Sequence, residues 1–237
     1  MRNKTLLFTF VLAFVTSIGF AQKTINASDI MKDVKDGKSV NISNATIEGV
    51  LDFTFMDEKI QDLPRRRRWW NNGGSNVVKY TVESKVSFTN CTFKDDVLAY
   101  IPDEDSGYTF TANFDDDAIF KNCTFERKAM FKYSSFERNA DFEGAKFDDD
   151  TTFKYAKFYN YVSFASSNFS ETATFKYTKF KDGVSFNSAN FEEDLNLKYT
   201  NVSGKFDIDN MKVAYDINSK YTKINGKSFT RYLLNRN

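Results

Sequence analysis

Apolar residues recur along the middle of the chain at fixed intervals. From residue 118 to residue 191, phenylalanines follow one another at alternating steps of five and six residues, and other apolar residues continue these steps to Val213. A small residue usually lies two positions before each centre, so both side chains face the same side of a short extended segment. The residues between these triplets break the alternation, as corners between short strands would. The centres are Phe120, Phe125, Phe131, Phe136, Phe142, Phe147, Phe153, Phe158, Phe164, Phe169, Phe175, Phe180, Phe186, Phe191, Leu197, Val202, Ile208 and Val213.

A longer period of 22 residues is superimposed on these steps. A Lys-Tyr pair follows every fourth centre, and the pairs are Lys132/Tyr133, Lys154/Tyr155, Lys176/Tyr177 and Lys198/Tyr199. If equivalent positions stack, one coil contains 22 residues and four short sides, and the pairs form one exposed ladder. At ~4.8 Å between strands, the coils between residues 120 and 213 predict a core roughly 20 Å long.

Three other folds fit the pattern less well. Phenylalanines five positions apart on an α-helix would not share one face, and the sequence is rich in Phe, Thr, Asn, Asp and Ser, which are mediocre helix formers. A transmembrane barrel needs alternating runs of ~10 residues, whereas the alternation here lasts three. A sandwich would not keep a strict 11-residue register.

The tandem units of a small residue, any residue and Phe or Leu resemble the pentapeptide-repeat proteins. The resemblance is specific over 118–191 and weaker to 213, and it departs from the family pattern because every second unit has six residues. It implies an all-β fold, a right-handed quadrilateral parallel β-helix, which we expect to be closed by short helical caps.

The ends of the chain predict the remaining organisation. Residues 1–21 have a positive start, an apolar run and a small-x-small site before Gln22, which is typical of a cleaved signal peptide rather than a membrane anchor. We expect an N-terminal cap and first coil over 22–56, an inserted basic and aromatic loop over 57–84, the solenoid over 85–213 and a C-terminal cap over 214–237. Ser28 and Gly37 are the expected ends of a capping helix.

Composition argues against catalysis. Lys and Arg number 33 against 32 Asp and Glu, and histidine is absent, so the usual proton shuttle and commonest metal ligand are missing. We expect no enzyme activity, no cofactor and no metal. An acidic corner formed by 148–150, Glu171 and 192–194 offers oxygen ligands for Ca²⁺, but its spacing matches no defined loop and favours a solvated edge.

Cys91 and Cys123 both occur in the sequence Asn-Cys-Thr-Phe, at the small inward position. Their separation of 32 residues equals about one and a half coils of 22, which would place them on opposite walls. The pattern predicts two buried thiols.

Two groups of residues are candidates for binding. The ladder of Lys132, Tyr133, Lys154, Tyr155, Lys176, Tyr177, Lys198 and Tyr199 could hold a glycan, an anionic polymer or a protein, although stacked aromatics also favour sheet pairing alone. Arg65, Arg66, Arg67, Arg68, Trp69 and Trp70 combine phosphate- or carboxylate-pairing groups with rings that stack or sit at a lipid boundary, or they form a loop packed on the wall.

Together these features predict an exported, non-enzymatic solenoid that acts as a structural or binding scaffold. We expect it in the periplasm, at the cell surface or in the medium, with an envelope polymer, a membrane surface or a protein as partner. The resemblance also implies an alternative, a DNA-mimicking topoisomerase inhibitor, against which the near-neutral charge argues. A glycan-active β-helix enzyme is the other alternative.

Overall fold

The chain folds into a right-handed parallel β-helix with four walls. The computed structural model describes residues 23–64 and 76–235. Short strands stack in register in four sheets, and each turn of the chain passes through walls 1, 2, 3 and 4 in that order. Seven coils stack in this way, so the solenoid is about 29 Å from its first coil to its last. The sequence therefore predicts the fold class correctly, but the coils extend beyond both ends of the regular repeat.

Walls 1 and 2 consist of parallel strands only. The strands of wall 1 are Val40–Ser43, Val86–Thr89, Ala118–Lys121, Ala140–Asp141, Val162–Ser163, Val184–Ser185 and Phe206–Asp207. Those of wall 2 are Lys23–Asn26, Ala45–Glu48, Thr92–Phe93, Thr124–Phe125, Lys146–Phe147, Asn168–Phe169, Asn190–Phe191 and Lys212–Val213.

Wall 3 is also parallel, and wall 4 carries two antiparallel additions. The strands of wall 3 are Leu51–Asp52, Val97–Leu98, Ala129–Met130, Thr151–Thr152, Ala173–Thr174, Leu195–Asn196 and Ile217–Asn218. Those of wall 4 are Val77–Val82, Tyr108–Phe114, Ser135–Phe136, Lys157–Phe158, Lys179–Phe180, Asn201–Val202 and Lys223–Ile224. The antiparallel additions are Tyr100–Asp103 and Lys227–Ser228.

Phenylalanine rings fill the interior in columns. Phe136 and Phe158 lie with their ring centroids 4.6 Å apart and their planes within 4°, and Phe142 and Phe164 lie 5.0 Å apart and also within 4°. Rings of neighbouring walls meet edge to face, as Phe142 meets Phe153 at 5.2 Å and 76°. Because burial of one Phe contributes ~1.5–3 kcal/mol, this column packing explains why the repeat keeps Phe at the centre of each triplet.

In the described part of the chain, insertions interrupt the coils only at the corner between walls 3 and 4. Leu51 pairs with Val97, 46 positions later, whereas a regular coil has 22, so the first coil holds 24 additional residues. They include a short helix, Met56–Lys59, and a 3₁₀ turn, Ile60–Asp62. The range 57–84, predicted as a loop, therefore includes the first strand of wall 4, Val77–Val82, which begins where the insertion ends.

The second insertion corrects the prediction for the cysteines. Phe93 pairs with Phe125, 32 positions later, because a hairpin formed by Tyr100–Asp103 and Tyr108–Phe114 adds ten residues to the coil. Cys91 and Cys123 therefore occupy the same position of adjacent coils on one wall, and the prediction of opposite walls is wrong. Both thiols are free and buried. A hydrogen bond between them lowers the pKa of Cys91 and, together with burial, raises the pKa of Cys123.

Helices cover both ends of the core. The first, α1 (Ala27–Lys35), buries Ala27, Ile30, Met31 and Val34 against the first coil. Its N-cap is Asn26 rather than the predicted Ser28, since the Asn26 side chain accepts a hydrogen bond from Ser28 N at 3.2 Å. Gly37, with φ of 69°, follows the end of the helix as predicted.

At the other end, Phe229–Leu234 forms the terminal helix, which we call α3 since the helix Met56–Lys59 is α2. Phe229 is buried with its ring 6.2 Å from Phe206, and the Tyr232 hydroxyl donates to the Phe206 carbonyl at 2.6 Å. None of the helices in the described ranges has both the length and the apolar character needed to cross a membrane.

Candidate binding surface

The Lys-Tyr pairs lie at the corner between walls 3 and 4, and the backbone of that corner explains their alignment. Tyr133, Tyr155, Tyr177 and Tyr199 have φ between 61° and 66°, in the left-handed region. The residue after each tyrosine donates its N–H to the carbonyl three positions earlier, as Ala156 N does to Phe153 O at 2.9 Å. These are the features of a type II turn with tyrosine at its third position.

Hydrogen bonds between coils fix this corner in register. Tyr133 N donates to Lys154 O, Tyr155 N to Lys176 O and Tyr177 N to Lys198 O, each at 3.0 Å. The rings consequently stack. Tyr133 and Tyr155 lie 4.8 Å apart, and Tyr155 and Tyr177 lie 4.6 Å apart, both with planes within 5°. Tyr177 and Tyr199 continue the column at 4.6 Å and 3°.

The ladder is longer than the sequence predicts. Lys220 and Tyr221 add a further rung, with the Tyr221 ring 4.8 Å from Tyr199. Tyr100, at the base of the hairpin, lies 5.9 Å from Tyr133 with its ring tilted by 50°. The Lys-Tyr signal at 220–221 was visible in the sequence, but the residue before it is Ser219 instead of Phe or Leu. Tyr100 carried no such signal, because the inserted hairpin breaks the 22-residue spacing.

The lysines form a row beside the rings. Each ammonium lies near the ring of the next residue, from 5.1 Å for Lys132 and Tyr133 to 5.4 Å for Lys198 and Tyr199. Lys132 Nζ also donates to the Tyr100 hydroxyl at 2.8 Å. Burial lowers the pKa of Lys154, and the charges of Lys132 and Lys176 lower it further. The row thus brings like charges together, and no carboxylate within residues 23–64 and 76–235 forms an ion pair with it.

The tyrosine rings of the ladder are covered on their faces and exposed at their edges. Because each ring is stacked against the next coil, the ring faces within the column are covered, and the edges and hydroxyl groups point to the surface. Tyr133 is 45% exposed, Tyr199 39% and Tyr221 59%. The corner therefore presents a line of hydroxyl groups and a line of ammonium groups, both repeating at the coil spacing.

The other predicted residues do not join this ladder. Arg65, Arg66, Arg67, Arg68, Trp69 and Trp70 lie outside the described residues. The flanking residues Pro64 and Asn76 are described, and both contact the hairpin. Tyr108 OH donates to Pro64 O at 3.1 Å, and the side-chain Nδ2 of Asn76 donates to Gly107 O at 3.3 Å.

The acidic corner lies between walls 2 and 3, on the far side of wall 3 from the ladder. Basic side chains neutralise part of it, as Lys146 pairs with Asp148 at 2.9 Å and Arg127 with Asp149 at 4.0 Å. Across residues 23–64 and 76–235, no cluster of three or more acidic, Cys or His side chains has the geometry to hold a metal ion. Burial raises the pKa of one wall 1 carboxyl, Asp141, whereas the hydrogen bond from Glu143 N and the charge of Lys121 act in the opposite direction.

A cleft opens at the N-terminal end of the solenoid, between α1 and α2. Met31, Val50 and Phe55 line its apolar part, and the ion pair of Lys35 with Glu58, at 2.6 Å, lies across it. This mixed lining shows no convergence of groups toward one point.

Comparison with known proteins identifies the repeat. The family model described as "Pentapeptide repeats (9 copies)" matches residues 110–157 and 153–201. These residues run from the end of the second coil through most of the sixth and contain four of the five Lys-Tyr rungs. No curated protein matches the chain, and no solved structure does.

Proposed function

Because this chain is a pentapeptide-repeat protein, with its repeats matched over residues 110–201, we propose that it is an exported, non-enzymatic scaffold that binds a partner along the Lys-Tyr corner. The family membership supports a structural or binding role. The export, the partner and the absence of catalysis are the further parts of the proposal.

One observation carries it: tyrosine occupies a backbone conformation that other residues adopt more easily. The corner between walls 1 and 2 has the same left-handed turn, and there the chain uses Asn122, Gly144, Ser166 and Ser188, with φ between 51° and 67°. Left-handed backbone costs most residues roughly 1–2 kcal/mol, but Gly and Asn much less. The turn alone does not require tyrosine, so the rings are retained for what they contact.

Ring stacking explains part of the reason why tyrosine occurs in this turn, and the exposed ring edges explain the rest. A stacked pair contributes ~0.5–1.5 kcal/mol beyond burial, which offsets most of the backbone cost of roughly 1–2 kcal/mol but not all of it. Lysine beside every tyrosine adds repulsion to the same corner, and its contact with the neighbouring ring contributes only ~0.5–1 kcal/mol at an exposed site. A surface that combines hydroxyl edges with uncompensated cations is suited to a partner rich in hydrogen-bond acceptors and negative charge.

The sequence supports export and the absence of catalysis. Residues 1–21 have the three parts of a signal peptide, and the chain contains no histidine. The charge distribution argues against DNA mimicry, because the surface that carries the ladder is basic and the acidic corner is interrupted by Arg127, Lys128 and Lys146.

Two measurements test the proposal. N-terminal sequencing of the protein recovered from fractionated cells should give a chain that begins at Gln22. Recovery of an uncleaved chain from the cytoplasm would refute export.

The second measurement is cosedimentation with the isolated envelope of the producing cells. The native chain should sediment with the envelope, and a Tyr155→Asn, Tyr177→Asn double variant should bind it at least about tenfold more weakly.

A matched control separates binding from corner geometry. The double variant Ser166→Asn, Ser188→Asn changes two left-handed residues of adjacent coils at the diagonally opposite corner, so it should sediment like the native chain. If the tyrosine variant sediments as well as the native chain, the Lys-Tyr corner is not the binding surface.

A further inference from the structure

Wall 4 carries a second row of lysines next to the ladder. Lys157, Lys179 and Lys223 occupy the outward position of successive wall 4 strands, and Asn201 takes this position between the last two. All three lysines are exposed. Ser135 and Asn113 hold the equivalent positions in the coils before them, so no carboxylate lies in this row.

The two rows form one surface, which we call the basic face. Each wall 4 lysine lies three residues after a ladder lysine, as Lys154 and Lys157 do, with the tyrosine and one inward residue between them. The basic face thus consists of the ladder lysines Lys132, Lys154, Lys176, Lys198 and Lys220, the ladder tyrosines and the three wall 4 lysines.

The charges of the basic face are uncompensated. None of its eight lysines forms an ion pair with any residue in the part of the chain that the structure describes. Lysines on other surfaces do so, as Lys121 pairs with Glu143 at 3.2 Å and Lys94 with Glu126 at 2.5 Å. A chain with nearly equal numbers of acidic and basic residues has therefore separated its charges, leaving one face cationic.

We propose that the basic face binds a linear carboxylated polysaccharide laid along the solenoid axis. This rests on the proposed function of the Lys-Tyr corner and names the chemical class of its partner. Four steps between five rungs span about 19 Å at the strand spacing, so the face is straight and long enough for several sugar units. Carboxylates would pair with the two lysine rows, and sugar hydroxyl groups would exchange hydrogen bonds with the tyrosine hydroxyls between them.

The geometry of the rings favours this class over nucleic acids. Single-stranded nucleic acid binds such surfaces by stacking bases on exposed aromatic faces. Here the faces within the column are covered by the neighbouring tyrosines, 4.6–4.8 Å away. Along the column between its two end rings, only edges and hydroxyl groups remain accessible, and these suit a ligand with many polar groups along a flexible chain.

The absence of apolar anchors disfavours a lipid surface. Stable attachment to a membrane interface requires buried apolar area in addition to electrostatic attraction. The exposed large side chains next to the wall 4 lysines are Tyr159 and Tyr161, and the exposed leucines of the described residues, Leu233 and Leu234, lie on α3 at the end of the solenoid and not along the lysine rows.

Titration calorimetry with polygalacturonate and alginate, both linear uronate polymers, tests the proposal. We expect binding at low ionic strength that weakens at least about tenfold at high salt, because exposed charges are screened. Dextran, a neutral polymer, should not bind. The quadruple variant Lys154→Gln, Lys157→Gln, Lys176→Gln, Lys179→Gln should lose at least about tenfold in affinity.

The control removes the same charge elsewhere. Lys23, Lys32, Lys128 and Lys212 are exposed and lie outside the basic face, so changing these four lysines to Gln should leave polymer binding within about twofold. An equal loss in the control variant would show that only net charge matters and would overturn the proposal. Circular dichroism of both variants verifies that each is folded before comparison.

Three further outcomes would decide between the polysaccharide proposal, another partner class and the binding role itself. If duplex DNA or phosphatidylglycerol vesicles bind more tightly than either polymer, and the quadruple variant loses that binding, the partner class is wrong. If neither polymer binds while the native chain still sediments with the envelope through Tyr155 and Tyr177, the polysaccharide is excluded and the proposed binding role stands. If the envelope experiment also fails, both are refuted.

Discussion

At the residue scale, Ser134 is an exception within a column of small inward residues on wall 4. Its hydroxyl is buried and has no hydrogen-bond partner among the described residues. The equivalent Thr178 donates to Phe153 O at 2.7 Å, and Thr200 donates to Phe175 O at 2.6 Å. In the coil before Ser134, Ala99 holds the position that Phe153 and Phe175 hold for the two threonines. The carbonyl of Ala99 accepts a hydrogen bond from the backbone N–H of Ala112, which belongs to the inserted hairpin.

Ser134→Ala should therefore stabilise the protein by about 1 kcal/mol, since a buried unsatisfied hydroxyl costs ~1–3 kcal/mol. Urea unfolding measures this as a higher midpoint with an unchanged slope. Thr178→Val is the comparison: it keeps the shape and removes a satisfied hydroxyl, so the free energy of unfolding should fall by ~0.5–1.5 kcal/mol. A loss of stability in Ser134→Ala would show that the hydroxyl has a partner in solution.

At the scale of the corner turns, the ladder balances backbone strain against ring stacking. Tyr155 stacks on two neighbours, whereas the terminal Tyr221 stacks only on Tyr199, and both have φ of 62–63°. Replacement by Asn relieves the same backbone cost at both positions. Tyr155→Asn should therefore be less stable than Tyr221→Asn by one stacked pair, ~0.5–1.5 kcal/mol.

Equilibrium unfolding of the two variants measures that difference, and Ser166→Asn calibrates the turn without any ring. Ser166 has φ of 57°, so its replacement should cause no loss. Equal stability of Tyr155→Asn and Tyr221→Asn would mean that ring stacking contributes nothing to the free energy of unfolding. The exposed ring edges alone would then explain why tyrosine occurs in these turns.

The same corner shows how far sequence reasoning reaches. The spacing of Phe120 to Phe191 determines the walls, and the 22-residue recurrence of Lys-Tyr predicts the alignment of the ladder. The hairpin at 100–114 could not be predicted, because its residues do not follow the regular five- and six-residue steps. The wrong prediction that the two cysteines lie on opposite walls results from this hairpin. The wall 4 lysines were visible at the middle of their triplets, as in Ala156-Lys157-Phe158, but their meaning depends on their lying beside the ladder.

At the scale of the whole molecule, the solenoid is stable only if its ends are covered. Every interior strand pairs on both edges, whereas the last coil relies on α3, which packs Phe229 against Phe206. Exposed strand edges and apolar ends promote association of such coils. Removal of residues 229–237 should therefore convert the protein into larger, concentration-dependent assemblies.

Size-exclusion chromatography with light scattering measures the mass of the shortened chain across a dilution series. Leu234→Ser is the control, because Leu234 is 74% exposed and lies at the outer end of α3, so this variant should keep the mass of the native chain. A shortened chain that keeps the oligomeric state of the native chain at all concentrations would show that α3 does not protect the end of the core.

The 22-residue spacing also limits how such a protein can change its length during evolution. Duplication of one whole coil would add a tyrosine to the same edge and lengthen the row without disturbing any other rung. Duplication of half a coil, 11 residues, would preserve the phenylalanine rhythm and the interior, yet it would transfer every later tyrosine to the diagonally opposite edge. Natural variants of different length should therefore differ by multiples of 22 within the region that carries the tyrosines, although the core alone would tolerate multiples of 11.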